Sequence, residues 1–412
     1  METLQLAPSQ TQSDIKADTE IILHRIYKHI LAQPVGQDFS LFGGEMGFAL
    51  FERYYQNHFG LPEESRTWER IEASLEAIAE GEQIHTFAGG VAGMAWSFLH
   101  LVNAGLLSGL ESDAQSIVED LDEPLFAASM KCLQEGEYDY LHGGLSAMLY
   151  FLDRMPSPKI HQYITAMILQ LEKLSILSPY GGITWLFQKH GHRTPGDTPE
   201  YNLSLSHGVA SIVAVLALAY EKGYERERCH KLIHLALWWL WNMRNKQDPS
   251  MFPYIVTDVL QEQSSRLAWC YGDLGVANTF YLAGEKLGYK PWKDTALHTI
   301  YKSTLRRKFA DTNVRDSCVC HGSAGVVYIY HKFTKVSNNP IIRSAAQYWL
   351  TETLQRSLPE TKEAVYLQLM PSKEGFIPYE NLGLLEGETS IGMVMLSMLG
   401  APTRWDRLLL LS

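Results

Sequence analysis

Apolar and polar positions along the chain follow one repeating arrangement. A stretch with apolar residues at steps of three and one is followed by a loop. A run of about ten mostly apolar residues, opening on Gly-x-x-Gly or Gly-x-x-Ser, comes next. In IIRSAAQYWLTETL (341–354), Ile342, Ala345, Ala346, Trp349 and Leu350 fall on one side of a helix. TEIILHRIYKHIL, RTWERIEASLEAIA and KIHQYITAMILQLEKL have the same spacing. The glycine-led runs are GEMGFALFERYY from Gly44, GVAGMAWSFLHLV from Gly90, GGLSAMLYFL from Gly143 and GVASIVAVLALAY from Gly208. GDLGVANTFYLAG from Gly272, GSAGVVYIYHKF from Gly322 and GETSIGMVMLSML from Gly387 complete the set. Strand-like alternation is scarce, so each repeat predicts an amphipathic outer helix, a loop, and a more apolar inner helix beginning at the glycines.

The first glycines stand 46 to 65 residues apart, room for two helices each. Seven such hairpins stack either as an open solenoid or as a closed ring. An open solenoid needs polar capping repeats, and neither terminal copy is polar. The expected fold is therefore all-α, an α/α toroid with a double ring of about 14 helices. It occupies residues 16–412 as a single domain, behind a disordered segment at 1–15. Glycine at each inner start permits close approach of neighbouring helices. The inner N-termini then gather at one end, where free N–H groups favour negative charge.

The residue before each repeat glycine is Gly43, Gly89, His142, His207, Tyr271, His321 and Glu386 in turn. Asp139, Cys270 and Cys320 stand beside these tips. Polar residues commonly precede helices as caps, but His, Tyr and Cys are not the preferred capping types. Their convergence on one rim points to a functional site. Cys270, Cys320 and His321 hold equivalent places in adjacent repeats. Two thiolates, one imidazole and an open fourth position describe a catalytic zinc site, one ion per chain. Cys318 lies at no equivalent tip and ranks below Cys320. Cys229, His230 and His234, on an outer helix, are read as packing or solvated positions. His190 and His192 belong to a polar loop, and Cys132 carries no role.

Composition narrows the partners. The net charge of −11 and pI near 5.8 argue against nucleic acid. Five cysteines in 412 residues make no disulfide framework, so reduced thiols in the cytoplasm are expected. The polar N-terminus is no secretory signal, and IVAVLALAY (212–220) is too short to span a bilayer.

WCYGDLG (269–275) and CHGSAG (320–325), supported by LSHGVAS (205–211) and YDYLHGGLS (138–146), resemble the LanC-like family of lanthionine synthetase cyclases over essentially the whole chain. The resemblance implies an α/α toroid, with Cys270, Cys320 and His321 as zinc ligands. It implies His207 as acid/base, and Asp139, Arg266 and Tyr271 as further active-site positions. Arg266 pairing structurally with Asp139 is the alternative role for that arginine. The implied reaction is addition of a peptide cysteine to dehydroalanine or dehydrobutyrine, closing a (methyl)lanthionine ring. Its partners would be a dehydrated precursor peptide with leader and core, a separate dehydratase and export machinery, with any membrane contact made through them. Ser146, Ser204 and Ser211 stand where the family usually has glycine, so strain is expected there if the backbone requires positive φ. Addition of glutathione to dehydrated residues shares every site residue. A zinc-dependent prenyltransferase and a peptide- or dehydratase-binding scaffold are the other readings.

Overall fold

The computed structural model describes residues 12–81, 84–188, 198–258 and 263–412. His190 and His192 lie outside the described residues, as does the expected disordered segment up to residue 11. Residues 12–15 already belong to the first helix.

Sixteen α-helices occur among the described residues. They are α1 (Gln12–Ala32), α2 (Glu45–Phe59), α3 (Ser65–Ala79), α4 (Val91–Asn103), α5 (Ala114–Ile117), α6 (Asp122–Gln134), α7 (Met148–Asp153) and α8 (Pro158–Leu174). Then come α9 (Val209–Glu221), α10 (Arg226–Asn242), α11 (Asp273–Lys286), α12 (Lys290–Ser303), α13 (Phe309–Thr312), α14 (Ser323–Val336), α15 (Pro340–Gln355) and α16 (Glu388–Met398). The short α5 and α13 lie in connections. The others form seven hairpins, each an outer helix followed by an inner one.

The inner helices touch in the order α2, α4, α7, α9, α11, α14, α16, and α16 returns to α2. The α1 helix also packs on α16, so both layers cross the seam and the ring is closed: the fold is an α/α toroid. The layers follow from the sequence pattern. Every residue of α9 from Val209 to Ala219 is buried, because an inner helix meets neighbours on all sides. In outer α3 only Thr67, Arg70, Ile71, Ser74 and Ala77 are buried, one face at helical spacing.

Buried charges pin the layers together. Arg70 on α3 donates to Glu45, to Glu52 at 3.1 Å and to the Ile30 carbonyl at 2.8 Å, tying α1, α2 and α3. Asp273, first residue of α11, accepts from the Met251 and Phe252 N–H groups and from Arg306 at 3.0 Å. Glu388, first residue of α16, holds Val365 and Tyr366 through their N–H groups, with His29 of α1 at 2.9 Å. An acid at the first helical turn also suits the helix dipole.

Three antiparallel ribbons, unplaced by the sequence pattern, decorate the connections. They pair β1 (Ile176–Leu177) with β2 (Ile183–Thr184), β3 (Glu200–Asn202) with β4 (Ile255–Thr257), and β5 (Gln368–Ser372) with β6 (Gly375–Tyr379). The third repeat departs from expectation, since α7 starts at Met148 rather than at Gly143. Asp139 takes the N–H groups of Leu141 and His142, and tight turns (Ser146 N–H to Gly143 O, Met148 N–H to Leu145 O) precede regular helix. The serine positions carry no backbone strain: the non-glycine residues with positive φ are Glu225, Asn313 and Leu410 among those described.

Candidate metal and acid–base centre

Six inner helices are capped by their repeat glycines, Gly44, Gly90, Gly208, Gly272, Gly322 and Gly387. The reason is backbone crossing. At Gly272 φ is 89°, and a Cβ would lie 2.3 Å from the Arg266 carbonyl oxygen. At Gly322 a Cβ would lie 2.3 Å from the Cys318 nitrogen. No side chain fits either place.

Two residues before each glycine, neighbouring tips are stitched by backbone hydrogen bonds. Phe42 N–H donates to Ala88 O at 3.2 Å, and Ala88 N–H to Leu141 O at 3.0 Å. Ser206 N–H donates to Cys270 O at 3.4 Å, Cys270 N–H to Cys320 O at 3.2 Å, and Cys320 N–H to Leu385 O at 3.1 Å. Leu385 N–H returns to Phe42 O at 3.4 Å. The cycle breaks only between the third and fourth tips, where Leu141 N–H turns instead to Asp139 Oδ1 at 2.7 Å.

This stitching brings Cys270 beside Cys320. The ligand atoms of Cys270, Cys320 and His321 lie within 4.8 Å of one another. Both cysteines are buried and His321 is half-buried. Burial disfavours a Cys270 thiolate, but the hydrogen bond from Cys320 and the His321 charge outweigh it and pull that thiol well below its ordinary range. The same hydrogen bond, together with burial, holds Cys320 well above it. Two buried thiols this close ionise together only with a cation between them. Soft sulfur and imidazole donors in this number fit zinc.

Two carboxylates also lie near the His321 ring. Its Nε2 is 3.6 Å from Asp316 Oδ2, and its Nδ1 is 3.7 Å from Glu386 Oε1. Asp316, Cys318 and His321 form a second close grouping that shares only the histidine with the first. Cys318, ranked below Cys320 as a competing ligand, is thus packed against a candidate ligand. Burial pushes its thiol up to about 11. Its place four residues before Gly322 matches that of Asp139 before Gly143. A carboxylate behind a ligating imidazole commonly orients the ring. Glu386 was legible as the residue before Gly387, whereas Asp316, six residues before Gly322, was not singled out by the sequence.

The break in the stitching is bridged by side chains. His207 Nδ1 meets Asp139 Oδ2 at 2.7 Å. Ser204 Oγ accepts the His207 backbone N–H at 3.1 Å. Burial works against charge on both partners, yet their mutual hydrogen bond outweighs it. Asp139 is held below the usual carboxylate range and His207 above the usual imidazole range. The His142 ring stacks on His207 with centroids 5.9 Å apart, and the Tyr271 ring lies 5.9 Å away on another side. Since Tyr271 follows Cys270, the acid–base pair and the sulfur cluster sit at adjoining tips.

Arg266 lies beside Tyr254. Its guanidinium lies 5.9 Å from the Tyr254 ring centroid, and its backbone N–H donates to Tyr254 Oη at 2.7 Å. Burial lowers its basicity, but the Cys270 charge outweighs that and raises it. Its buried Nε has no partner. Among the described residues no ion pair joins Arg266 to Asp139, whose Oδ2 faces His207. The outer-helix cluster behaves as packing: Cys229 is buried, and His234 Nδ1 accepts from Trp292 Nε1 at 3.0 Å.

The profile of the family described as lanthionine synthetase C-like protein matches residues 36–410. The chain belongs to that family. The nisin biosynthesis protein NisC of Lactococcus lactis subsp. lactis is 25% identical over 270 residues, covering 60% of this chain and 62% of that protein. The aligned part thus spans less than two thirds of that relative's length. A solved nisin cyclase, 19% identical, superposes with a TM-score of 0.68 over 97% of this chain and 98% of its own. That likeness is one of fold, and it is the closed toroid. Within the family match lie all four motifs, from YDYLHGGLS to CHGSAG.

Proposed function

We propose that this chain is a zinc-dependent lanthipeptide cyclase, closing thioether rings in a dehydrated precursor peptide. The observation that carries the proposal is one rim holding both a sulfur–imidazole donor triad and an imidazole–carboxylate pair. Family membership and the likeness to proteins named for nisin biosynthesis and cyclisation support it. Cys270, Cys320 and His321 would hold the ion. Zinc held there would lower the pKa of a peptide cysteine thiol, which is otherwise near ~8.5 and mostly protonated at neutral pH.

The remaining steps belong to the protein's own groups. The peptide thiolate attacks the β-carbon of dehydroalanine or dehydrobutyrine, forming the C–S bond and moving the alkene electrons onto the α-carbon and its carbonyl. The Asp139 bond fixes His207 Nδ1, so Nε2 carries the proton delivered to the α-carbon. Arg266, charged and with an unpartnered Nε, and the Tyr271 hydroxyl are the groups available to the enolate oxygen. The thiol proton lost at the start replaces the one His207 gives, so atoms balance and peptide mass is unchanged. Water elimination from Ser and Thr is assigned to a separate dehydratase. Five unpaired cysteines fit a reducing compartment. No helix among the described residues is long and apolar enough to cross a membrane.

The test is Cys320→Ala, with metal content and ring closure measured on the same preparation. Metal and ring closure are expected to fall together. Ring closure at the wild-type rate without metal would overturn the proposal. A peptide gaining the mass of glutathione, with its own cysteines still alkylatable, would assign the chain to intermolecular thiol addition instead.

A further inference from the structure

We propose that Tyr254 is a positioning residue for ring closure, holding Arg266 and Tyr271 together where the enolate oxygen forms. This rests on the cyclase reading above. Tyr254 belongs to no repeat tip; it directly precedes strand β4. It meets both side chains that the reading offers to the enolate. Its ring centroid lies 5.9 Å from the Arg266 guanidinium carbon and 5.3 Å from the Tyr271 ring, to which it stands nearly perpendicular at 83°. Its Oη accepts the Arg266 backbone N–H at 2.7 Å. One side chain from a separate segment thus joins the two groups.

An anchor has to be fixed more firmly than what it holds, and Tyr254 is fixed on both sides along the chain. Ahead of it, the Met251 and Phe252 N–H groups donate to Asp273 Oδ1 at 2.8 and 2.9 Å, and Asp273 opens α11. Its own carbonyl accepts the Leu203 N–H at 3.0 Å. After it, Ile255 pairs with Asn202 in the β3–β4 ribbon. Leu203 directly precedes Ser204, whose Oγ accepts the His207 N–H. Tyr254 is therefore tied both to the helix that Tyr271 and Gly272 lead into and to the segment that carries His207.

The two held groups need such an anchor. Arginine has many rotamers, and the Arg266 side chain is not fully hydrogen-bonded: its buried Nε has no partner. A donor that waits for an oxygen charged only during reaction must be aimed by contacts that leave it free. A ring face does this, because it attracts a guanidinium without capturing its N–H groups. The Tyr271 hydroxyl is aimed in the same manner, since its ring meets His207 at 5.9 Å and Tyr254 at 5.3 Å. Preorganised donors of this kind act mainly on the transition state. Losing Tyr254 therefore falls on kcat rather than on KM.

The test uses the full-length, zinc-loaded protein and a peptide carrying one dehydroalanine and one cysteine. Tyr254→Leu and Tyr254→Met remove the ring; methionine, unbranched and able to fill irregular space, serves if leucine unfolds the ribbon. In both, kcat for ring closure is expected to fall roughly tenfold, with KM and zinc content unchanged. Tyr254→Phe keeps the ring and restores most of the wild-type kcat. In a background already carrying Arg266→Ala and Tyr271→Phe, Tyr254→Leu adds less than about twofold, because the groups it acts through are gone. A readout independent of chemistry is the Arg266 Nε–H resonance in arginine-labelled protein, identified by its loss in Arg266→Lys. It shifts in Tyr254→Leu and not in Tyr254→Phe. An equal loss of kcat with and without Arg266 and Tyr271, or zinc lost together with activity, overturns the proposal. Tyr254→Phe as slow as Tyr254→Leu does the same, as does a raised KM at unchanged kcat, which would make Tyr254 a substrate contact. If the wild-type protein binds zinc and peptide but closes no ring, the cyclase reading fails. The Arg266 resonance then decides the clamp, which stands if the signal shifts and falls if it does not.

Discussion

Replacing Asp139 with Asn retains an acceptor for the Leu141 and His142 N–H groups and removes the charge facing His207. The 2.7 Å contact joins side chains only 24% and 16% exposed, so it is a charge-assisted hydrogen bond with little solvent screening. Such a bond contributes about 1.5–3 kcal/mol. Burial opposes charge on His207, but Asp139 outweighs it, so the imidazolium persists above its ordinary range. In Asp139→Asn the imidazolium population at alkaline pH should fall by roughly tenfold to a hundredfold. Because the protonated ring is the proposed donor, kcat should fall by the same factor on the alkaline limb. It should change little at acidic pH, where His207 is protonated in both proteins. Stability follows the same logic. The raised His207 pKa contributes stability that is lost as pH rises through it. The depressed Asp139 pKa contributes stability that is lost as pH falls through it. The melting difference between wild type and variant is therefore largest between those limits and closes at both ends. Ring closure, read by mass spectrometry as loss of alkylatable thiols, gives the rate profile; scanning calorimetry gives the stability profile. An unaltered alkaline limb in the variant would remove Asp139 as the group that holds the proton on His207.

Arg70→Ala leaves Glu45 and Glu52 buried without their cation and should cost about 3–5 kcal/mol in denaturant unfolding; a change below ~1 kcal/mol would mean that this clasp does not hold the layers together. Gly272→Ala forces a Cβ to 2.3 Å from the Arg266 carbonyl at φ 89°. A stability loss of at least about 1–3 kcal/mol, with displaced Cys270 and weakened metal retention, is expected in melting and metal-content assays; a variant as stable as wild type would show that the crossing relaxes. Asp316→Ala should weaken metal affinity about 10- to 100-fold in competition with a chromogenic chelator. Equal affinity would remove Asp316 as the group that orients His321.

The ring was legible in the sequence because the glycine-led run recurs seven times and six of the recurrences report the same physical event, a loop crossing its own helix start. The donor triad was legible for the same reason: Cys270 and Cys320 occupy one repeat position, and the fold stitches those positions together. Three features escaped. The late start of α7 depends on Asp139 capturing two N–H groups, an event no periodicity encodes. The place of Cys318 depends on the third dimension, because a residue four before the glycine lies under the tip, not on it. The three ribbons are too short for alternation to reveal. The Arg70 and Glu388 clasps join residues 18 to 359 positions apart, beyond the reach of pattern.

The break in the tip cycle explains why a near-sevenfold frame carries a lopsided site. Where stitching is intact, a tip residue two before the glycine is held by backbone on both sides, and its neighbour's side chain projects from a fixed point. That suits ligands, whose mutual distances must be set: Cys270 N–H meets Cys320 O at 3.2 Å, and the two sulfurs follow. Where stitching fails, between the third and fourth tips, Leu141 N–H is surrendered to Asp139 and the join is remade by a carboxylate and an imidazole. A side-chain join can change protonation; a backbone join cannot. The frame thus separates its two kinds of candidate chemistry by kind of bond, with the candidate ligands on the rigid arc and the hydrogen-bonded His207–Asp139 pair at its opening. Restoring a backbone link at that opening would have to displace Asp139 from Leu141, and with it the hydrogen bond that orients His207.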